Sequence, residues 1–327
     1  MTKVVNTEEV DLSIKQLDGV GAVTEKKLSA FGVNTLLDIC IRGSHEIAEI
    51  TGVSKDKADQ WSFESQKILE DSGLIRKTDL DIIDLMNYQK NYPTLGTKCA
   101  AVDDLMDGGV KPEATYEVYG EFGSGKTQFC LTLVAEAISQ GMNVTWIDCE
   151  DTFRVKRLYQ ILEARELVTD PEQGEEMLTH VQYYYTPNTE LLMGTVNNLS
   201  KLMLEKRPRL VIVDGAIGQF REEYLGRGTL ASRQDQIKRF MNHLKNVSYY
   251  FKCTVILTNQ VQADPSMMFG DPIKPIGGNV VAHASTHRIY FKKSGKKRIA
   301  RMVDSPEYPQ ADGEYILNIK GIDNLEE

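Results

Sequence analysis

Apolar and polar positions alternate in two distinct ways along the chain. Through residues 1–73 apolar residues recur at helical spacing between glycine turns: Leu12, Ile14 and Leu17 precede Asp18-Gly19-Val20-Gly21, and Leu28 and Phe31 follow. That pattern predicts a small all-α domain. Residues 74–95 are a mixed segment whose Pro93 ends regular structure, and they read as a linker. From about Thr94, short β-branched or aromatic runs alternate with longer helical stretches, which predicts an α/β domain with a mostly parallel sheet and flanking helices over 96–327. Strands are expected at Thr115–Tyr119, Val144–Asp148, Val181–Tyr184, Leu210–Asp214 and Thr254–Thr258, with helices at Lys126–Ser139, Arg154–Arg165, Thr189–Leu204 and Arg233–Tyr250. After residue 286 the pattern becomes that of antiparallel strands, at His287–Lys292, Arg298–Val303 and Glu314–Ile319.

Composition narrows the class without identifying it. With 41% hydrophobic and 26% charged residues in 327, the chain buries a core of ordinary size. No stretch approaches the roughly 18–20 apolar residues that span a bilayer, and the acidic N-terminus is unlike a signal peptide, so a cytoplasmic chain with no membrane partner is expected. The five cysteines are scattered and lack a C-x-x-C pair, which argues for reduced packing residues. The net charge of −9 disfavours nucleic acid only on average, because binding depends on local patches.

The strongest chemical signal is Gly120-Glu121-Phe122-Gly123-Ser124-Gly125-Lys126-Thr127, a G-x-x-x-x-G-K-T between a predicted strand and a predicted helix. Glycines let backbone N–H groups converge on phosphate oxygens, the helix N-terminus adds its positive end, Lys126 neutralises charge, and Thr127 offers a hydroxyl to Mg²⁺. A metal-side carboxylate is needed as well, and Asp214 closes the apolar strand Leu210–Asp214. Hydrolysis further requires a group that activates water. Glu150 is a candidate at the C-terminal edge of the sheet, but Asp148 and Asp151 lie beside it, and an acidic cap on the helix near Arg154 is the plain alternative. Gln260 reaches the same edge and could sense the terminal phosphate.

These residues, in this order, resemble the RecA/RadA recombinase family, most closely its archaeal RadA and eukaryotic strand-exchange branch. The resemblance spans almost the whole chain and includes Trp146–Arg154, Phe220–Gly228, Thr258–Val261, Phe269–Pro272, Lys274–Gly278 and Asp304–Pro306. It implies a RecA-type ATPase core with ATP and Mg²⁺ as cofactors and a nucleotide site of Gly120 to Thr127, Gln128 and an adenine-stacking Arg157. Thr127 and Asp214 would hold the metal, and Glu150, Lys126 and Gln260 would be the catalytic residues. It implies too that Asp304, Ser305, Pro306 and Pro309 cap the ATP of a neighbouring subunit.

The same resemblance implies two DNA-binding loops. One holds Arg221, Tyr224 and Arg227, where guanidinium groups meet phosphates and the ring supports a base or sugar. The other runs over 261–284 without regular structure and holds Met267, Met268, Phe269, Gly277, Gly278 and Asn279. A basic run, Arg288–Arg301, reads either as a solvated hairpin or as a strip for backbone phosphates. Leu17–Gly21 resembles a helix-hairpin-helix turn, with Ile50–Ser54 a weaker copy, although residues 1–73 carry 8 basic and 13 acidic side chains. The implied partners are single-stranded DNA, a homologous duplex and further copies of the chain in a helical filament or ring. The implied location is nucleoid-associated.

Several positions depart from the family pattern. In the family a Phe, followed three residues later by an Ala, joins neighbouring subunits; Leu74 and Lys77 stand there. Asp151 replaces the usual Gly or Asn, Gly215 the usual Ser, and Asn279 a His. Three functions remain: a recombinase with strand-exchange activity, a paralog acting as recombination mediator, and a metabolic phosphate-loop kinase, which explains neither the hairpin turn nor the Arg-Tyr-Arg loop.

Overall fold

A computed structural model describes residues 10–90, 92–223, 229–263 and 273–325. The N-terminal region forms a 3₁₀ turn, Ile14–Gln16, and three helices: α1 (Ala22–Ala30), α2 (Leu36–Thr51) and α3 (Lys55–Asp71). Thr35 and Asp38 start α2 as a reciprocal capping pair, and Gly52, at φ 77, ends it in the left-handed conformation that glycine adopts without steric cost. Leu28, Leu36, Ile39, Trp61 and Leu69 form the core of this unit. The segment expected to be a linker holds a further helix, α4 (Ile82–Gln89), capped by Asp81. It is tied to the rest of the chain by Tyr88 and Tyr92, whose hydroxyls donate to Glu113, and by Arg76, whose guanidinium lies between the Tyr88 and Tyr249 rings.

Beyond it come α5 (Ala100–Asp103), β1 (Thr115–Gly120), α6 (Lys126–Ser139), β2 (Val144–Asp148), α7 (Val155–Ala164), α8 (Pro171–Leu178), β3 (Val181–Tyr185), α9 (Thr189–Asn197), α10 (Leu199–Glu205) and β4 (Leu210–Asp214). There follow α11 (Ala216–Glu223), α12 (Leu230–Phe251), β5 (Thr254–Asn259), β6 (Val261–Ala263), β7 (Ile273–Pro275) and α13 (Gly278–Ala284), then β8 (His287–Ser294), β9 (Lys297–Asp304), β10 (Ala311–Asn318) and β11 (Gly321–Asp323). Nine strands form one sheet in the order β11-β10-β9-β8-β1-β5-β4-β2-β3. From β8 to β3 neighbours run parallel, and from β8 to β11 antiparallel, as the sequence pattern predicts. Strands β1, β2, β4 and β5 are buried throughout, because α6 and α7 contribute to one core layer and α9 to α12 to the other. Asp148, Asp214 and Thr258 are register partners on β2, β4 and β5, which brings three polar side chains side by side at the sheet's C-terminal edge.

Two expectations are corrected. The helix predicted over 189–204 is two helices broken at Asn198, whose own side chain bonds back to the Gly194 carbonyl. The described parts of 261–284 are regular: β6 pairs antiparallel with β7, and α13 follows. All five cysteines are buried and free. No helix among the described residues is long and apolar enough to cross a membrane.

The N-terminal unit packs on α12 through polar contacts. Glu46 accepts from Arg42 at 2.7 Å and meets His243 Nε2 at 2.8 Å, Glu49 pairs with Arg239 at 2.6 Å, and Asn246 donates to the Ile41 carbonyl at 2.8 Å.

Candidate active site

The phosphate loop leaves β1 at Gly120, where the backbone runs so close to its neighbour that an added Cβ would lie 2.0 Å from the Phe291 carbonyl oxygen. Gly123 (φ 70) and Gly125 (φ 114) take left-handed turns, and Gly125 lies under the Tyr315 hydroxyl, which donates to the Ser124 carbonyl at 2.9 Å. Lys126 folds its ammonium into the loop, donating to the Gly120 and Glu121 carbonyls at 2.8 and 3.1 Å, and its burial lowers its pKa. Phe122 projects outward. Gln128 accepts from Arg157 Nε at 2.8 Å, while the other guanidinium nitrogens bond the Asn318 and Ile319 carbonyls at 2.7 and 3.0 Å. Arg157 is thus a plane fixed along its edge beside the loop.

Thr127 Oγ1 donates to Asp214 Oδ2 at 3.1 Å, and Thr152 does the same at 3.2 Å. Thr258 bonds the second oxygen of Asp214. Burial pushes the Asp214 carboxyl up to about 6; the charges of Glu150 and Asp148 add to the shift, and the threonine hydrogen bonds oppose it. The Asp214 carboxylate beside the Thr127 hydroxyl is an oxygen donor set that suits Mg²⁺, and the Lys126 ammonium is placed for phosphate oxygens instead.

The geometry separates the three neighbouring acids. Asp148 is spent locally: it accepts from the backbone of Glu150, Thr152 and Phe153 and from the Tyr183 hydroxyl, and so builds the turn after β2. Asp151 is at φ 52 and faces Arg154 at 3.4 Å; Asp, like Asn, takes left-handed backbone more readily than other non-glycine residues. Glu150 alone meets Gln260, whose amide donates to Oε1 at 2.7 Å. Gly215, at φ 89, has the Glu150 side chain where its own Cβ would be, 2.4 Å from Cγ.

Comparison with known proteins adds to this geometry. A family model described as Rad51 matches residues 89–325. The DNA repair and recombination protein RadA of Cenarchaeum symbiosum (strain A) is 38% identical over 330 residues, covering 99% of this chain and 81% of that protein. The protein of the same name from Methanoculleus marisnigri is 34% identical over 324 residues, covering 95% and 98%. The chain belongs to the Rad51 family.

Within this Rad51-family chain the remaining expected residues separate into groups. Arg221 is exposed on the last turn of α11, whereas Tyr224 and Arg227 lie outside the described residues, as do Met267, Met268 and Phe269. Gly277 (φ 91) and Gly278 (φ 60) turn the chain into α13, and Asn279 is exposed on that helix. Asp304 pairs in register with Arg288, which pairs with Glu117 of β1, and residues 305–309 make the turn into β10 at the end of these strands away from the phosphate loop. At about 3.3 Å per residue and 4.8 Å per strand, Asp304 lies on the order of 14 Å from Gly120, so a single chain does not bring the expected cap to its own loop. Leu74 packs into this chain's own N-terminal core, and Lys77 is exposed. In the basic run the half-buried Arg288 pairs with the buried Glu117 at 2.7 Å, and Lys297 and Arg301 pair with Glu314 and Asp312.

Sequence reading misses three site residues. Thr152, from the turn after β2, and Thr258, one strand over on β5, bond Asp214, and both placements become visible only with the fold. Asn259 donates to both Glu117 and the Ile276 carbonyl at 2.7 Å, tying the base of the β6–β7 segment to β1.

Proposed function

We propose that this chain is an ATP-dependent DNA recombinase that assembles on single-stranded DNA and pairs it with a homologous duplex. The observation that carries the reading is the Gln260–Glu150 hydrogen bond of 2.7 Å, because Gln260 immediately precedes β6, the first strand of the second proposed DNA loop. The charge state at the triphosphate and the position of that loop therefore share one contact. In this reading the phosphate loop and Lys126 bind ATP, Arg157 offers its face to the base, and Glu150 accepts a proton from the attacking water. Thr127 and Asp214 would hold Mg²⁺, which would neutralise phosphate charge. Gln260, bonded to Glu150 in the structure described, would turn to the terminal phosphate when ATP is bound and so fix the loop that follows. Asp304, Ser305, Pro306 and Pro309 would complete the site of a neighbouring copy.

Self-assembly would use a surface other than the expected Leu74. Ile82 is 74% exposed and Ile83 57% on α4, while β3 ends the sheet beside a groove of about 480 Å³ lined by Tyr184, Leu191, Leu199 and Leu202. An exposed apolar helix strip and a separate groove beside the edge strand suit head-to-tail copies. The packing of Leu74 is also what favours the second reading, a mediator with weak strand exchange. DNA-stimulated ATPase activity measured together with electron microscopy on single-stranded DNA separates the two. A recombinase forms regular filaments with a non-hydrolysable ATP analogue, loses activity in K126A, and in E150Q binds ATP without prompt turnover. Short or absent assemblies point to the mediator, and rapid hydrolysis by E150Q removes Glu150 from its role.

A further inference from the structure

We infer that Gln219 is a positioning residue for Glu150, aiming the carboxylate from α11 so that hydrolysis responds to what the Arg221 end of that helix binds. The inference rests on the recombinase reading and adds a second line of coupling, independent of Gln260. Gln219 is 7% exposed, and its amide nitrogen donates to the carbonyl of Cys149, at 3.1 Å, and to that of Thr186. Both partners can only accept, which fixes the orientation of the amide. Cys149 precedes Glu150, and the Glu150 N–H donates to Asp148 Oδ1 at 3.1 Å. The Cys149–Glu150 peptide is therefore held at its oxygen by Gln219 and at its nitrogen by Asp148. A peptide is planar, so holding it at both ends fixes where the Glu150 Cα sits, and the 2.7 Å bond from Gln260 then fixes where its carboxylate ends.

Packing alone does not call for an amide here. The surrounding residues of the same layer, Leu192, Ala216, Ile217 and Phe220, are apolar, and the Gln219 oxygen has no partner among the described residues. An acceptor left unmet in such a place marks a side chain kept for the bonds its other end makes. The helix that carries it joins the two chemistries. It begins two residues after Asp214, and Arg221 follows Gln219 by two. At its far end Glu223 accepts from the Thr189 N–H at 2.7 Å and from the Thr189 hydroxyl. A phosphate polymer engaging Arg221 would thus act on a rigid helix anchored to the turns that follow β2 and β3.

The test compares wild type with Q219M, which keeps the length without the donor, and Q219E, which sets a carboxylate against two carbonyl oxygens. Steady-state hydrolysis is measured with and without an oligo-dT strand. Alongside are a fluorescent ATP analogue for nucleotide affinity, anisotropy for DNA affinity and a thermal melt for folding. With DNA bound, kcat falls about tenfold in Q219M and further in Q219E, while KM and both affinities stay within about twofold. Hydrolysis then becomes nearly indifferent to DNA. A folded Q219M with DNA-stimulated kcat within twofold of wild type overturns the inference, as does a loss of DNA affinity that accounts for the whole effect. Should Q219M fail to fold, Q219N, too short to span both carbonyls, decides by the same criteria. Wild-type hydrolysis that DNA does not raise is a different result, and it overturns the recombinase reading itself.

Discussion

His287 illustrates how far a single side chain in this molecule depends on its surroundings. Its ring stacks between those of Tyr116 and Tyr308, at 4.6 and 5.1 Å between centroids, and its Nδ1 lies 2.9 Å from the Ser305 hydroxyl. Burial pulls its pKa down to about 4, with Lys111 acting in the same direction and Glu307 and Asp304 opposing it. In the unfolded chain it would titrate near 6.5. The depressed folded value means that neutral His287 stabilises the fold fully above pH ~6.5, and that this contribution is lost as pH falls towards about 4. Between pH 7 and pH 5 the expected loss is about 2 kcal/mol, from 1.36 kcal/mol per pH unit over the window. Urea titrations at the two pH values check it: H287F, which keeps a ring between the tyrosines, should show an acid loss smaller by that amount. Equal losses in the two proteins would mean that His287 titrates in the fold as it does in the unfolded chain. Since Ser305 belongs to the proposed cap, mild acid is also expected to weaken assembly before it unfolds the chain.

At the scale of elements, what is legible depends on whether the signal is local. The strands β2 and β4 have the bounds their apolar runs predict, because five consecutive buried positions between polar ends leave little choice. The phosphate loop is legible for the same reason, its glycines and Lys126 being contiguous. The break at Asn198 is not, since it depends on one side chain bonding its own helix, and neither is α4, whose exposed Ile82 and Ile83 imitate no standard amphipathic face. Cross-strand facts such as Thr258 beside Asp214, and Gln219 beneath Cys149, need the register first. The docking of α2 on α12 belongs to this class. Glu46 is shared by Arg42 and His243, whose side chains are 4% and 1% exposed, so one carboxylate satisfies two buried groups. Those two contacts hold the Glu46 pKa below the usual carboxylate range against the opposing effect of burial. Removing it strands both. E46A is expected to lower stability by about 3 kcal/mol, and E46Q, which keeps the acceptor, by clearly less. Denaturant midpoints of the two variants test this, and equal values would show that charge and not hydrogen bonding holds the units together.

For the whole molecule the decisive relation is the distance between two ends of one sheet. The phosphate loop leaves the C-terminal end of β1, while β9 delivers Asp304 level with Glu117 and sends the following residues the other way. If Asp304 and its neighbours cap a triphosphate, the triphosphate belongs to another copy, and repeating that contact head to tail builds an open helix or closes a ring. Such a site has an arithmetic that a self-contained one lacks. K126A spoils every phosphate loop and D304A every cap, so either variant alone should hydrolyse little ATP on single-stranded DNA. In an equimolar mixture a junction is intact when an Asp304→Ala chain supplies the loop and a Lys126→Ala chain supplies the cap, which random assembly gives at about a quarter of junctions. DNA-stimulated hydrolysis by the mixture should therefore recover to about a quarter of the wild-type rate, although neither component is active. If D304A alone retains wild-type turnover, the site is complete within one chain and the cap assignment fails. If the mixture stays as inactive as its parts although both variants still join wild-type filaments, the loop and the cap do not meet across a subunit boundary.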